Sequence, residues 1–223
     1  MVLKIAHRGA SSYARENTME SFKKAIELGA DVVEFDIRLS KDNEIVVIHD
    51  RDLKRVANHN GLVKDMTSVE IKKIFKKDGS FLTLHEAIGF LKNKCACKID
   101  IKERGMEERV IDVIKKNKME RSVIITTSIP EVVRKIKSIS PDIEVEMGGF
   151  KKGLPAKKII KKAKKVRADI IGPHHTITTK KLVKEAHKNK LKVHVWTVNK
   201  KKAIEKMKKI GVDGITTDSP DKV

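Results

Sequence analysis

Glutamine is absent from this chain, and aromatic residues make up only 4% of its 223 positions. So small an aromatic complement argues against a binder of single-stranded nucleic acid, which stacks bases on rings along a basic groove. The net charge of +20, from 50 Lys and Arg against 30 Asp and Glu, would by itself attract polyanions. Its lysines, however, are spread over every helical segment, as in KKIIKKAKK at 157–165 and NKKKAIEKMKK at 199–209. They read as a solvated surface, with no specific nucleic-acid partner. Missing Gln beside abundant Lys and Ile suits a heat-adapted host. No apolar run approaches the roughly 20 residues that cross a bilayer, and MVLKIAHRGA lacks the long apolar stretch of a signal peptide. A cytoplasmic protein with no membrane span is the expectation. The two cysteines, Cys95 and Cys97, are too few for a disulfide framework and lack the spacing of a zinc knuckle. Small core residues are expected there.

What is present is regular. β-Branched runs at Leu3–His7, Val32–Ile37, Ala96–Lys102, Val123–Thr127, Ile143–Met147, Asp169–Gly172, Lys192–Thr197 and Gly214–Thr217 predict strands. Between them, apolar residues recur at helical spacing over Ser21–Leu28, Leu84–Lys92, Glu107–Lys116, Pro130–Ser138, Pro155–Lys165, Thr179–Asn189 and Lys200–Ile210. Eight strands alternating with helices, and no Pro/Gly/Ser-rich linker, predict one α/β domain over 1–223, a (β/α)₈ TIM barrel. The chain stops at Val223, soon after the last strand, so the last helix is expected to be reduced or missing.

Ile45–Asp50 (IVVIHD) interrupts the pattern. Only Ser40–Glu44 separates it from the second strand, too little for a parallel crossover but enough for a hairpin. A short antiparallel strand is therefore predicted beside strand two, returning His49 to roughly the level of Asp36.

Active sites of such barrels lie at the carboxyl ends of the strands. There the chain places His7-Arg8-Gly9, Glu34 and Asp36, the returning His49-Asp50, and Asp100-Ile101-Lys102. Residues two apart on a strand share a face, so Glu34 and Asp36 point the same way, with Asp100 on the next strand. A hard cation, Mg²⁺ or Ca²⁺, would relieve that clustering of negative charge; Arg8 and Lys102 are the alternative source of positive charge. Two histidines on one rim suggest general acid and base at neutral pH. A phosphodiester fits a rim that also carries Arg8 and Lys102, because charge stabilisation is most of what phosphoryl transfer asks.

The motifs Ala6–Ala10 (AHRGA), Glu16–Thr18 (ENT), Ser21–Ala25 (SFKKA), Gly29–Lys41 with Ile45–Asp50, Lys98–Lys102 (KIDIK), Val195–Asn199 (VWTVN) and Gly211–Pro220 (GVDGITTDSP) closely resemble the glycerophosphodiester phosphodiesterase family. The resemblance runs in order along almost the whole chain. It implies a (β/α)₈ barrel that uses a divalent cation to hydrolyse a small glycerophosphodiester to glycerol phosphate and an alcohol, work that belongs to lipid and glycerol metabolism. It makes His7 and His49 the acid–base pair, Glu34, Asp36 and Asp100 the metal ligands, and Arg8, Lys102 and Trp196 substrate contacts. It also implies attack by the substrate's own glycerol hydroxyl, through a cyclic phosphate that water opens. Two departures stand out: Asp100 where the family usually has Glu, and Arg15 where it commonly has Pro. Glu16 and Asn17 are candidates for ligand contact or for capping the following helix; His174 and His175 follow a strand end, as contacts to substrate or a second cation or as plain surface-loop histidines, and Asp218 after the last strand is a candidate cap for the phosphate region or a helix. His59, His85, His187 and His194 read as structural. A barrel phospholipase acting on lysophospholipid is the neighbouring alternative, but no amphipathic anchor is evident. A basic nucleic-acid-binding protein is the rival from another class.

Overall fold

The computed structural model describes residues 2–76, 79–150 and 152–223. In chain order its elements are β1 (Leu3–Ala6), α1 (Met19–Glu27), β2 (Val32–Leu39), β3 (Ile45–Val47), α2 (Lys54–Ala57), α3 (Ser68–Ile74), α4 (Leu84–Leu91), β4 (Ala96–Ile101), α5 (Glu107–Lys116), β5 (Val123–Thr127), α6 (Pro130–Ile139), β6 (Glu144–Met147), α7 (Ala156–Lys165), β7 (Ile170–Ile171), α8 (Lys180–Lys188), β8 (Lys192–Val195), α9 (Lys201–Ile210) and β9 (Gly214–Thr217). Strands β1, β2 and β4–β9 are parallel, and pairing of β1 with both β9 and β2 closes them into an eight-stranded barrel. The predicted barrel is therefore present. A 3₁₀ turn, Pro220–Lys222, stands where the last helix would be.

The predicted hairpin is present as well. β3 runs antiparallel to β2 with Ile37 opposite Val47 and Leu39 opposite Ile45, closed by a hydrogen bond from Ser40 N–H to the Glu44 carbonyl (3.0 Å). The ladder stops at Val47, and continuing its register sets Ile48 opposite Asp36, one residue short of the expected His49.

Alternation on β2 decides what faces where. Val33, Phe35 and Ile37 are fully buried toward the helix layer, where the Phe35 and Phe22 rings lie 5.4 Å apart. Glu34 and Asp36 face into the barrel. Each large apolar side chain so buried contributes about 1.5–3 kcal/mol. Helix starts follow local chemistry: Thr18, Thr67 and Thr83 each form a reciprocal capping box with the residue three positions on.

The stretch Lys54–Leu82, for which the sequence pattern predicts no element, holds α2 and α3; positions 77 and 78 lie outside the described residues. It has its own small core of Val46, Ile48, Leu53, Val63, Ile71 and Phe75, packed against the outer side of β3. Cys97 is buried and Cys95 half-buried; both are free thiols, and burial pushes Cys95 up to about 11. No described helix is long and apolar enough to cross a membrane.

Candidate active site

The rim begins where β1 ends. His7 N–H donates to the Thr217 carbonyl (2.8 Å), continuing the β1–β9 ladder, and the chain then turns sharply through Arg8 (φ 56°) and Gly9 (φ 79°). Gly9 is required: a Cβ there would collide with Ser21. Arg8 accepts a left-handed backbone that costs an L-residue about 1 kcal/mol or more. In return its N–H donates to Glu34 Oε2 at 2.8 Å.

Glu34, Asp36 and Asp100 bring carboxylate oxygens within 4.8 Å of one another. Asp36 is the best held. Lys102 Nζ lies 2.8 Å from its Oδ1, Arg8 Nε 3.2 Å from its Oδ2, and the Asn17 amide donates to Oδ2 at 3.0 Å. Burial alone would raise Asp36, but Lys102 and Arg8 outweigh it and the carboxyl stays below its ordinary range. Asp100 shares the same ammonium (Lys102 Nζ, 2.5 Å); burial and the nearby Asp36 charge raise it. Among the described residues the Glu34 carboxylate accepts a hydrogen bond only from Arg8 N–H, and burial followed by repulsion from Asp36 pushes it up to about 7. Three hard-oxygen donors, one of them short of positive charge, fit a divalent cation such as Mg²⁺ or Ca²⁺.

Both histidines are held the same way. His7 Nδ1 is 2.6 Å from Asp218 Oδ1, which also accepts from the Ser11 hydroxyl at 3.1 Å. His49 Nδ1 is 2.6 Å from Asp50 Oδ1, and the other Asp50 oxygen is 2.6 Å from Arg55 Nε. A carboxylate on Nδ1 fixes that nitrogen as the donor and leaves Nε2 able to exchange a proton. Burial lowers the His7 pKa, but the Asp218 hydrogen bond and the Glu34 charge outweigh it, so His7 is raised. Burial would raise Asp50, yet Arg55 and His49 bring it down to about 2.

The two histidines, the three clustered carboxylates, Arg8 and Lys102 line one cavity of about 330 Å³, along with Trp196 and, on its floor, Lys98, Thr126 and Glu146. Glu146 accepts from Lys98 Nζ (2.6 Å), His194 Nδ1 (2.9 Å) and the Thr126 hydroxyl (3.2 Å). Burial would raise its pKa, but Lys98 and His194 bring it down to about 2. The close packing reaches β7: a Cβ on Gly172 would collide with the Glu146 carboxylate.

All eight residues singled out from sequence as site residues, His7, Arg8, Glu34, Asp36, His49, Asp100, Lys102 and Trp196, line this cavity. Arg8 and Lys102 are at the same time ion-paired to the carboxylates, the alternative the sequence left open. Trp196 is 40% exposed and anchored by its Nε1–H to the Gly172 carbonyl (2.9 Å). Neither Glu16 nor Asn17 caps the helix: Thr18 caps α1, Asn17 donates to Asp36, and Glu16 pairs with Arg8 and Arg55. His174 stacks edge-on to Trp196 at 5.2 Å, outside the cavity lining, and Arg15 lies over the Phe75 ring at 5.1 Å. His194 is fully buried against Glu146 and does not line the cavity. The sequence reading missed the roles of Asp50 and Asp218 and the floor residues Lys98 and Glu146. Period-two spacing could have found Lys98, which shares a strand face with Asp100 and Lys102.

Residues 7–222 match the model of the glycerophosphoryl diester phosphodiesterase family. A glycerophosphodiester phosphodiesterase of Caldanaerobacter subterraneus subsp. tengcongensis is 37% identical, over 98% of this chain and 95% of its own length. The crystal structure of a glycerophosphodiester phosphodiesterase from Thermotoga maritima superimposes with a TM-score of 0.86 at 28% identity, covering 99% of this chain and 96% of that one. A phosphodiesterase of Oleispira antarctica, solved in complex with the product sn-glycerol-3-phosphate, shares the fold with a TM-score of 0.84 at 23% identity, over 98% and 93% of the two chains.

Proposed function

The chain belongs to the glycerophosphoryl diester phosphodiesterase family and is a phosphoric diester hydrolase, and from that premise we propose that it cleaves small glycerophosphodiesters by metal-dependent acid–base catalysis with His7 and His49. The observation that carries this reading is the pair of histidines, each fixed at Nδ1 by a carboxylate, on one cavity with a three-carboxylate cluster. Glu34, Asp36 and Asp100 would hold the cation. When bound, it supplies positive charge against the phosphoryl oxygens. Arg8 and Lys102 border the same cavity and donate N–H groups to those oxygens. One histidine takes the proton of the substrate's glycerol hydroxyl as that oxygen attacks phosphorus. The other gives a proton to the departing alcohol, leaving a cyclic phosphate. Water then opens the ring with the two histidines in exchanged roles. Trp196 supplies an apolar wall for the substrate's carbon skeleton.

The test is release of phosphomonoester from glycerophosphocholine and glycerophosphoethanolamine with Mg²⁺, Ca²⁺ or EDTA present. Loss of activity in EDTA and in His7→Ala and His49→Ala is expected. Full activity in EDTA would overturn the metal, and normal turnover in either variant would overturn the acid–base roles.

A further inference from the structure

Lys102 borders two cavities, the catalytic one and a neighbour of about 410 Å³. The neighbour lies between the end of β2, the segment after β3 and the loop after β4, with Arg38, Arg51, Leu62, Lys64 and Glu103 on its walls. Its acidic group is already committed. Glu103 accepts from Leu39 N–H at 2.6 Å and from Arg38 Nη1 at 3.4 Å. Arg38 in turn donates from Nε to the His49 carbonyl at 2.8 Å, tying this wall to a catalytic histidine.

Arg51 and Lys64 are exposed and, among the described residues, form neither an ion pair nor a side-chain hydrogen bond. Leu62, 40% exposed, adds an apolar edge. A recess with two unpaired cations, adjoining the phosphate-binding Lys102, is built for a second anion at some distance from the first.

We propose that this cavity is a subsite for leaving alcohols that carry their own anionic group, a carboxylate or a second phosphate, with Arg51 and Lys64 as its ligands. The inference rests on the diester-hydrolysis reading above and adds a substrate class to it: glycerophosphodiesters with an anionic head group are preferred.

The experiment compares the full chain with Arg51→Gln, Lys64→Gln and the double variant on three substrates: glycerophosphocholine, glycerophosphoserine, and a glycerophosphodiester whose alcohol is itself glycerol phosphate. In the double variant kcat/KM on the anionic substrates should fall about tenfold, mainly through KM, since one charge-assisted contact is worth about that factor. Glycerophosphocholine should be unchanged within about twofold. Loss on only one anionic substrate identifies the anion as carboxylate or phosphate; equal handling of all three substrates by the variant and the parent overturns the subsite. A second measurement needs no variant: added salt should erode the parent's preference for anionic over choline substrate, and a salt-independent ratio overturns the proposal. Absence of hydrolysis on all three substrates would sink the diester-hydrolysis reading and the subsite with it, whereas hydrolysis without anionic preference sinks the subsite alone.

Discussion

Replacing Glu34 by Gln should make the metal-free protein more stable while destroying its activity. The Glu34 carboxyl rises from 4.5 to about 7 because it is buried beside Asp36, with positive charge on Lys102 and His7 only partly offsetting that cost. At about 1.4 kcal/mol per pH unit, carrying its charge above neutral pH costs the fold about 3 kcal/mol. The sign follows from the direction of the shift. A carboxyl raised in the folded state leaves stability intact below its ordinary value and removes it progressively as pH climbs through 7. Gln keeps the shape and can still accept from Arg8 N–H, the 2.8 Å bond that holds Glu34 now, but carries no charge at any pH. The favourable His7 and Lys102 charges are already contained in that figure, so about 3 kcal/mol is the net gain expected. For a chain of this size that is roughly 6–12 °C in Tm. Thermal denaturation in EDTA at pH 8 and pH 4, followed by circular dichroism, checks it: the variant should gain at pH 8 and match the parent at pH 4. A variant no more stable than the parent at pH 8 would refute the argument. With Mg²⁺ or Ca²⁺ added, the parent should recover stability and the variant should not.

Asp218→Asn should lower kcat by about a hundredfold or more, because His7 loses the carboxylate that fixes its donor nitrogen. Since Asp218 raises His7, the limb of the rate–pH profile set by that histidine should move to lower pH; an unmoved profile would count against the assignment. Lys98→Met should destabilise by about 3–5 kcal/mol in urea denaturation, since it strands the buried Glu146 charge. Glu146 is held at about 2, so its present contribution is complete above the ordinary carboxylate range and is lost as pH falls toward 2; in the variant, where the folded carboxyl rises back toward its ordinary value, that acid-side loss should be smaller or absent. Asp100→Glu restores the length usual in the family and should change the relative rates with Mg²⁺ and Ca²⁺, read by phosphomonoester release. Identical metal preference would remove Asp100 from the ligand set.

Much of the fold was legible because parallel strands buried on both faces write themselves as short β-branched runs, and the barrel's eight strands fall within a residue or two of those runs. The hairpin was legible for a different reason, the shortness of the Ser40–Glu44 gap. Helix α3 was not, although Thr67 and Glu70 carry its capping-box signal, because seven residues give too little periodicity to register. Its burial partners, Val46 and Ile48, are contributed by the returning strand.

Site legibility divides along the same line between local and closure-dependent information. Charged residues at hydrophobic strand ends announce themselves, which is why His7, Glu34, Asp36 and Asp100 could be named from spacing. The carboxylates behind the histidines depend on how the chain closes. Asp218 reaches His7 from 211 residues away because Ala6 pairs with Thr217, so its role exists only once β9 meets β1. The barrel floor is more distant still in pattern: Lys98, Glu146 and His194 come from β4, β6 and β8, each 48 residues from the next. None of these strands alone predicts a buried ion pair, since a lone Lys or Glu in a strand reads as solvent-facing. Their common placement follows from the barrel geometry, in which alternate strands fill the same interior layer. The catalytic rim therefore stands on a charged floor and not on an apolar one. That floor bears on the third carboxylate, because the Lys98 charge favours the ionised form of Asp100 from below while Lys102 does so from above. These two charges offset only part of the burial and the Asp36 repulsion that raise the Asp100 carboxyl, and a divalent cation held there would supply the rest.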